Sequence, residues 1–317
     1  MYKYVVKRIL VAIPVFLGIT FAVYLLVNMA PGGPLDILAS QGGMSQIDLQ
    51  VLKESMGLNK PLIVRYFLWL GDLFKGNLGI SYRTSQEVNL MISQRIGASL
   101  ILTGSGTLMA LIIGIPLGIM SAYKPYSKWD SISSAVSFIG ASAPNFFLSL
   151  LVIYIFAVKL RIFPTSGMYS TSGNKSMADL LMHLFLPACI ICIQPIGNYI
   201  KQTRASLMEV LNEEYIKTAR AKGLREKRVI VFHAFRNSLI PVVTSFSLSI
   251  PFLIGGAVVT EQIFSWPGIG SLMITAINNR DYPVIMGVAV LISVTVLVAN
   301  LLLDLVYAVL DPRISYD

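Results

Sequence analysis

The sequence predicts an all-α polytopic membrane protein: six transmembrane helices, an extended extracytoplasmic loop after the first, and a helical cytoplasmic segment between the fourth and fifth. Three observations carry this reading. Of 317 residues, 55% are hydrophobic and only 13% charged, with a mean hydropathy of +0.70, far from the balance of a water-soluble domain. Six stretches contain no Asp, Glu, Lys or Arg and reach the roughly 20 residues that a helix needs to cross a ~30 Å hydrocarbon core. The basic residues are unequally divided between the intervening segments, as the topology of a multi-span protein requires.

The charge-free stretches are 9–29, 96–123, 131–158, 180–200, 237–260 and 282–303. Helices satisfy their backbone groups in lipid. Six spans put both termini on one side, and Lys3, Lys7 and Arg8 before the first span place that side in the cytoplasm. With this topology the inner segments hold fifteen basic residues and the short outer loops four, Lys159, Arg161, Lys175 and Arg280. The net charge of +9 thus reads as topology and contact with anionic membrane lipid, not as a nucleic-acid surface. The basic start and long apolar run at the N-terminus read as an uncleaved anchor. Cys189 and Cys192 lie inside the fourth span and read as helix packing.

Three regions follow: 1–29, a tail and the first span; 30–95, an extracytoplasmic loop region; and 96–317, a five-helix core containing the segment 201–236. The loop is too long for a simple connection. Within it, Leu62, Ile63, Tyr66, Phe67, Leu70, Leu73 and Phe74 have helical spacing and predict an amphipathic helix. Gly71, Gly76 and Gly79 are read as turns. In the core, Pro116, Pro195 and Pro251 interrupt apolar runs, and Gly114 with Gly118 has the spacing that lets helices approach closely.

The segment 201–236 has nine basic residues and four glutamates but is not only a charged connector. Asn212 is read as the cap of a helix with Glu213 and Glu214 in its first turn. That helix continues through Tyr215, Ile216 and Ala219 and ends at Gly223 in a left-handed turn. A second helix starts near Arg225, with Val229, Phe232 and His233 at helical spacing. Ala219, Ala221 and Gly223 leave room for another surface. Composition leaves two readings open, a hairpin lying on anionic lipid or a docking element.

Tyr215-Ile-Lys-Thr-Ala-Arg-Ala-Lys-Gly-Leu224 followed by His233-Ala-Phe-Arg-Asn-Ser-Leu-Ile-Pro241 resembles the coupling segment of ABC importer permeases of the dipeptide and oligopeptide family. Lys217, Thr218 and Ala219 stand where the general motif has EAA, and His233, Phe235 and Arg236 depart from its second half as the peptide branch does. Further signatures are Ala30-Pro-Gly-Gly-Pro34, Gly76-Asn-Leu-Gly-Ile-Ser81, Ala143-Pro-Asn-Phe146, Phe163-Pro-Thr-Ser-Gly167, Thr260-Glu-Gln-Ile-Phe-Ser-Trp-Pro-Gly-Ile-Gly270 and Leu310-Asp-Pro-Arg313. The long loop after the first span resembles the B-type permease of a pair. Gly33 departs from the family's frequent Asp.

The resemblance implies a type I ABC importer permease fold in a bacterial-type plasma (inner) membrane. It implies a second, C-type permease, two ATPase subunits, an extracytoplasmic substrate-binding protein and a peptide substrate. The chain has no GxxxxGK[ST] phosphate loop, so it is not read as an enzyme; ATP and magnesium are assigned to the partner ATPases, and no cofactor or metal to this chain. Glu214, Tyr215, Thr218, Ala219, Arg220, Ala221 and Gly223 are assigned to an ATPase groove, and Arg225, Arg236 and Asn237 to anchoring the segment on its own bundle.

Asn145, Gln194, Asn198 and Ser249 are polar positions in apolar spans and candidates for a translocation path. Glu261 and Asp281, at the outer ends of spans five and six, are read as solvated loop acids, with contact to a peptide amine or the binding protein as the other reading, and His183 and His233 as structural. Nickel or another small solute is the alternative cargo on the same scaffold. An ion-gradient-driven secondary transporter is the competing class, but the mid-span ionisable residues and inverted repeats expected of one are not evident.

Overall fold

The computed structural model describes residues 2–29, 50–51, 53–54, 57–171 and 175–310; the motif at 30–34, Gly33 included, and residues 311–313 lie outside them. Regular structure among the described residues is helical apart from one isolated bridge between Ile80 and Glu87. In order the helices are α1 (Tyr2–Met29), α2 (Leu62–Phe74), α3 (Val88–Tyr123), α4 (Lys128–Ser142) and α5 (Asn145–Val152), which runs on through a π-helical turn (Ile153–Lys159). Then come α6 (Met177–Leu211), α7 (Glu214–Ala221) and α8, which has α-helical ends (Glu226–Arg228 and Phe235–Ser238) around a π-helical centre (Val229–Ala234). The last are α9 (Ile240–Gly255), α10 (Val258–Ile263), α11 (Ile269–Asn278) and α12 (Tyr282–Leu310).

By length and apolarity α1, α3, α6, α9 with α10, and α12 are membrane spans, and the pair α4–α5 makes a sixth. The third span is therefore broken. Pro144 has no N–H and pushes Ala143 into extended backbone (φ −87°, ψ 127°), so its two halves meet at 104°. The fifth is interrupted at Gly256, whose φ of 77° suits only glycine without strain.

The centre of the bundle is the pair α3 and α6, packed along much of their length. Small residues allow it. A Cβ on Gly106 would lie 2.6 Å from Ile191 Cγ2, one on Gly114 3.1 Å from Tyr199 Cβ, and one on Gly118 2.6 Å from Thr203 Cβ. Across the other side of α6, a Cβ on Gly197 would meet Ser137 Cα at 2.9 Å, bringing α4 equally close. Cys192 fills this core beside Ile196 and Tyr199.

On the periphery α1 packs along α12, and α2 lies across α1. Tyr66 holds that crossing through its hydroxyl, 3.0 Å from Thr20 Oγ1, while Arg65 donates to Asn28 Oδ1 at 2.7 Å. The predicted amphipathic helix is present, with Gly71 inside it and not at a turn. Gly76 and Gly79 do turn the chain, with φ of 80° and 91°.

Gly118→Val should destabilise the purified chain in detergent by about 1–3 kcal/mol through overpacking of the α3–α6 seam. Gly104→Ala, on the same helix but with nothing within 4 Å of the new Cβ, should leave the thermal unfolding midpoint in place.

Candidate functional site

Helix α6 does not stop at the end of its apolar run but continues to Leu211, and the segment 201–236 is built on that extension. Asn212 is the C-cap of α6, its N–H donating to Glu209 O while the Glu213 N–H reaches Val210 O. The N-cap of α7 is Glu213, one residue later than expected, with extended backbone (φ −66°, ψ 147°). Glu214 occupies the first turn, where the helix dipole favours it. Gly223 ends the helix at φ 75°. Its N–H bonds Arg220 O at 2.9 Å and the Leu224 N–H reaches back to Ala219 O at 3.4 Å, the two bonds of a Schellman cap.

The inner face of α7 is apolar. Ile216 is fully buried and packs with Leu207, Val229, Ile230 and Ala234. Asn237 Nδ2 donates to Tyr215 Oη at 2.7 Å. Arg220 makes two bonds to Glu226 across the glycine turn, at 2.7 and 3.2 Å, and that carboxylate holds the guanidinium pKa above its ordinary value. Below the seat, Asp130 takes both Arg204 Nε and Nη2, at 2.9 and 3.1 Å, together with the Ser121 hydroxyl and the Tyr126 N–H. This carboxylate joins the ends of α3, α4 and α6.

Glu214, Tyr215, Thr218, Arg220, Ala221 and Gly223 are all exposed. Ala219 is not: at 8% exposure it belongs to the chain's own core, where a larger side chain would lift α7 off its seat. Among the expected anchors, Asn237 makes its bond. Arg225 and Arg236 are exposed, and neither side chain has a hydrogen bond or ion pair among the described residues; Arg225 instead supplies the N-cap backbone of α8. The anchors that the sequence did not disclose are Ile216 and the Arg220–Glu226 pair.

A cavity of about 650 Å³ opens between α5, α6, α9 and α10. Asn145, Gln194, Asn198 and Ser249 all line it, with Tyr199 and Phe252. The break at Pro144 turns Asn145 towards α6, its Nδ2 3.5 Å from Gln194 Oε1. Gln194 and Asn198 are one helical turn apart, both exposed to the opening.

At the end of the cavity remote from α7, Gly256 to Thr260 form the wall, and Glu261 lies directly behind it, fully buried. Ser99 donates its hydroxyl to Oε1 at 2.7 Å and the Ser271 N–H reaches Oε2 at 2.9 Å. Ser99 Oγ also accepts the Ile269 N–H at 2.7 Å. The acid thus sits on the first turn of α11, whose N–H groups lack helical partners. A Cβ on Gly268 would lie 2.3 Å from Glu261 Cδ, and one on Gly256 2.6 Å from Oε1. Trp266, fully buried, donates its indole N–H to Ala98 O at 2.8 Å. Asp281 is also buried, accepting from the Ser81 hydroxyl and, at 3.0 Å, from the Tyr82 N–H. Reading both acids as solvated is therefore corrected: out of water a carboxylate needs donors, and each has a set of them.

His183 contacts Asp179 O at 2.9 Å through Nδ1. No group of metal-binding side chains occurs among the described residues.

Glu261→Ala should leave the Ser271 N–H and Ser99 hydroxyl without their acceptor, costing about 1–3 kcal/mol for a buried donor. Gly268→Ala should lower the thermal midpoint in the same direction by pressing on the carboxylate. An unchanged midpoint for both would remove Glu261 as the tie between α3 and α11.

Residues 114–316 match the family described as binding-protein-dependent transport system inner membrane component, and residues 1–103 match the N-terminal part of such components. The chain is 42% identical over its whole length to the oligopeptide transport system permease protein AppB of Bacillus subtilis, covering 100% of both chains. It is 35% identical to the dipeptide transport system permease protein DppB of Escherichia coli K12, over 100% of this chain and 99% of that one. Inward-facing structures of the MetNI methionine ABC transporter share the fold, with a TM-score of 0.54 at 16% identity over 70% of this chain and 97% of the other. A helix bundle that carries a cavity and a protruding α7, with family matches on both halves, belongs to the inner-membrane permease components of binding-protein-dependent ABC importers, in their peptide-permease branch.

Proposed function

We propose that this chain is the B-type permease of an ATP-driven importer and forms, with a C-type permease, the path for peptides delivered by an extracytoplasmic binding protein. The observation that carries the reading is that one helix bears both working parts. α6 presents Gln194 and Asn198 to the cavity and, 17 residues or about 25 Å further on at 1.5 Å per residue, ends at Leu211 against α7. A force on α7 therefore acts on the cavity wall through a continuous rod.

In this reading both termini and α7 are cytoplasmic, and the exposed surface of Glu214, Tyr215, Thr218, Arg220, Ala221 and Gly223 enters a groove of one of two ATPase subunits, which bind ATP and magnesium. Closure of the ATPases moves α7. Ile216, the Arg220–Glu226 pair and Asn237 hold it on α8 and the end of α6, and the Asp130–Arg204 pair holds α6 to α3 and α4. The inner ends of the spans then tilt together, exchanging an inward-open cavity for an outward-open one. The open side of the cavity faces the second permease, and Asn145, Gln194, Asn198 and Ser249 offer amide and hydroxyl groups to a peptide backbone without a fixed charge. Such a lining suits cargo of varied sequence. It also leaves selection to the binding protein, and the relatives, oligopeptide and dipeptide permeases, support peptide over nickel.

Gly223→Val places a β-branched residue at φ 75°, a strain of roughly 1–2 kcal/mol, on the exposed surface of the turn. Uptake should fall at least about tenfold and ATP hydrolysis should no longer respond to loaded binding protein, while the chain stays inserted; unaltered coupling would remove the docking role. Gly223→Asn, which tolerates this conformation better, should retain more uptake. In vesicles, ATP inside and loaded binding protein outside should suffice for peptide uptake, and dependence on an ion gradient alone would overturn the importer reading.

A further inference from the structure

At the face of the bundle remote from α7, where α1 ends and α12 begins, α2 closes a second cavity of about 240 Å³. Its walls include Asn28, Arg65, Leu68, Trp69, Asp72 and Tyr82. Two donor atoms here, Arg65 Nε and Trp69 Nε1, are buried and have no hydrogen-bond partner among the described residues. Buried N–H groups left in that state are costly, and one of them belongs to a guanidinium. Arg65 is held in place from its far end by the bond to Asn28, and the Trp69 ring is held against Tyr24 and Tyr66. Burial first, then Tyr24 and Asp281, push the Tyr82 phenol up to about 12, so it stays protonated and able to donate.

Arg65, Trp69 and Tyr82 line the same cavity, and its surroundings say which kind of acceptor suits them. Leu68 lines the cavity and is also exposed, continuing into an exposed apolar strip with Val64 and Phe67 on α2. Asp72, which among the described residues pairs only with exposed Lys75 at 3.6 Å, puts a carboxylate on the same wall as the guanidinium. Anion-seeking donors, an acid and an adjoining apolar strip occur together at the level where spans meet the membrane surface, the level favoured by Trp and Tyr.

We propose that this cavity is a phospholipid headgroup site. Arg65 Nε–H and Trp69 Nε1–H take the phosphate, the amine of an ethanolamine-type headgroup faces Asp72, and an acyl chain runs along Leu68 and Val64. The bound lipid wedges α2 against α1 and α12. The site is separate from the transport cavity and independent of the cargo.

A soluble zwitterion such as a dipeptide carries the same pair of charges, so the test separates the two sources. The complete transporter is reconstituted in nanodiscs with a phosphatidylethanolamine bearing a photoreactive group near its phosphate, and the labelled peptides are mapped. Labelling should fall in residues 58–75 and saturate at low mole fraction of the probe, whereas contact with bulk lipid rises in proportion to it. Trp69→Phe keeps the ring and removes the donor, and should lower labelling there about tenfold, the weight of one hydrogen bond to a charged acceptor. Arg65→Gln should lower it further. Labelling that never saturates, or that Trp69→Phe leaves unchanged, overturns the proposal. So does a photoreactive dipeptide that labels 58–75 where the lipid does not. If Trp69→Phe does not insert, saturation on the unsubstituted chain decides.

Discussion

The structure rests on the close approach of α3 to α6. In a bilayer no hydrophobic force draws helices together, so contact distance and packing do the work. Gly106, Gly114 and Gly118 remove side chains where Ile191, Tyr199 and Thr203 need the space. With the axis of α6 set in this way, its two faces are available for different tasks. One receives α4 through Gly197, the other presents Gln194 and Asn198 to the cavity. Its extension beyond the apolar run then determines where α7 stands.

Three carboxylates hold the rest to this frame, and each is placed where a span ends or breaks. Asp130 joins α3, α4 and α6 beside the segment that carries α7, Glu261 joins α3, α10 and α11, and Asp281 joins the loop at Ser81 to the start of α12. A buried acid costs several kcal/mol unless its lone pairs are met. Asp130 and Glu261 each accept from donors on different elements, and Asp281 takes both of its donors from the one loop at Ser81 and Tyr82, so the cost of leaving an acid unpaired resists separation of the elements it joins. The glycines of the 260–270 motif have the same explanation: two of them press directly on the Glu261 side chain, and a Cβ would displace it.

Much of the site was legible in the sequence. The turn at Gly223 and the helix before it followed from local spacing, and the four polar positions picked out inside apolar spans line one cavity. Other features were not legible. Ala219 reads as room for a partner, but the buried side of α7 contains it. Arg225 and Arg236 read as anchors because charge attracts attention, whereas an apolar residue, Ile216, and an ion pair across the turn do the holding. Glu261 and Asp281 follow apolar runs and so read as loop acids. Only the packing of distant elements shows that each takes a donor from a residue more than 150 positions away.

The sequence by itself determined the solvent, the spans and their order, because those depend on composition and on distances along one chain. It also carried the family, through motifs whose spacing is local. Tertiary structure decided the break of the third span into the cavity wall, the burial of the acids, the division of α7 into a seated face and an exposed face, and the second cavity under α2. Those depend on which helices touch. A hydrogen bond between Ser99 and Glu261, or a glycine opposite an isoleucine, has no signature in either segment alone.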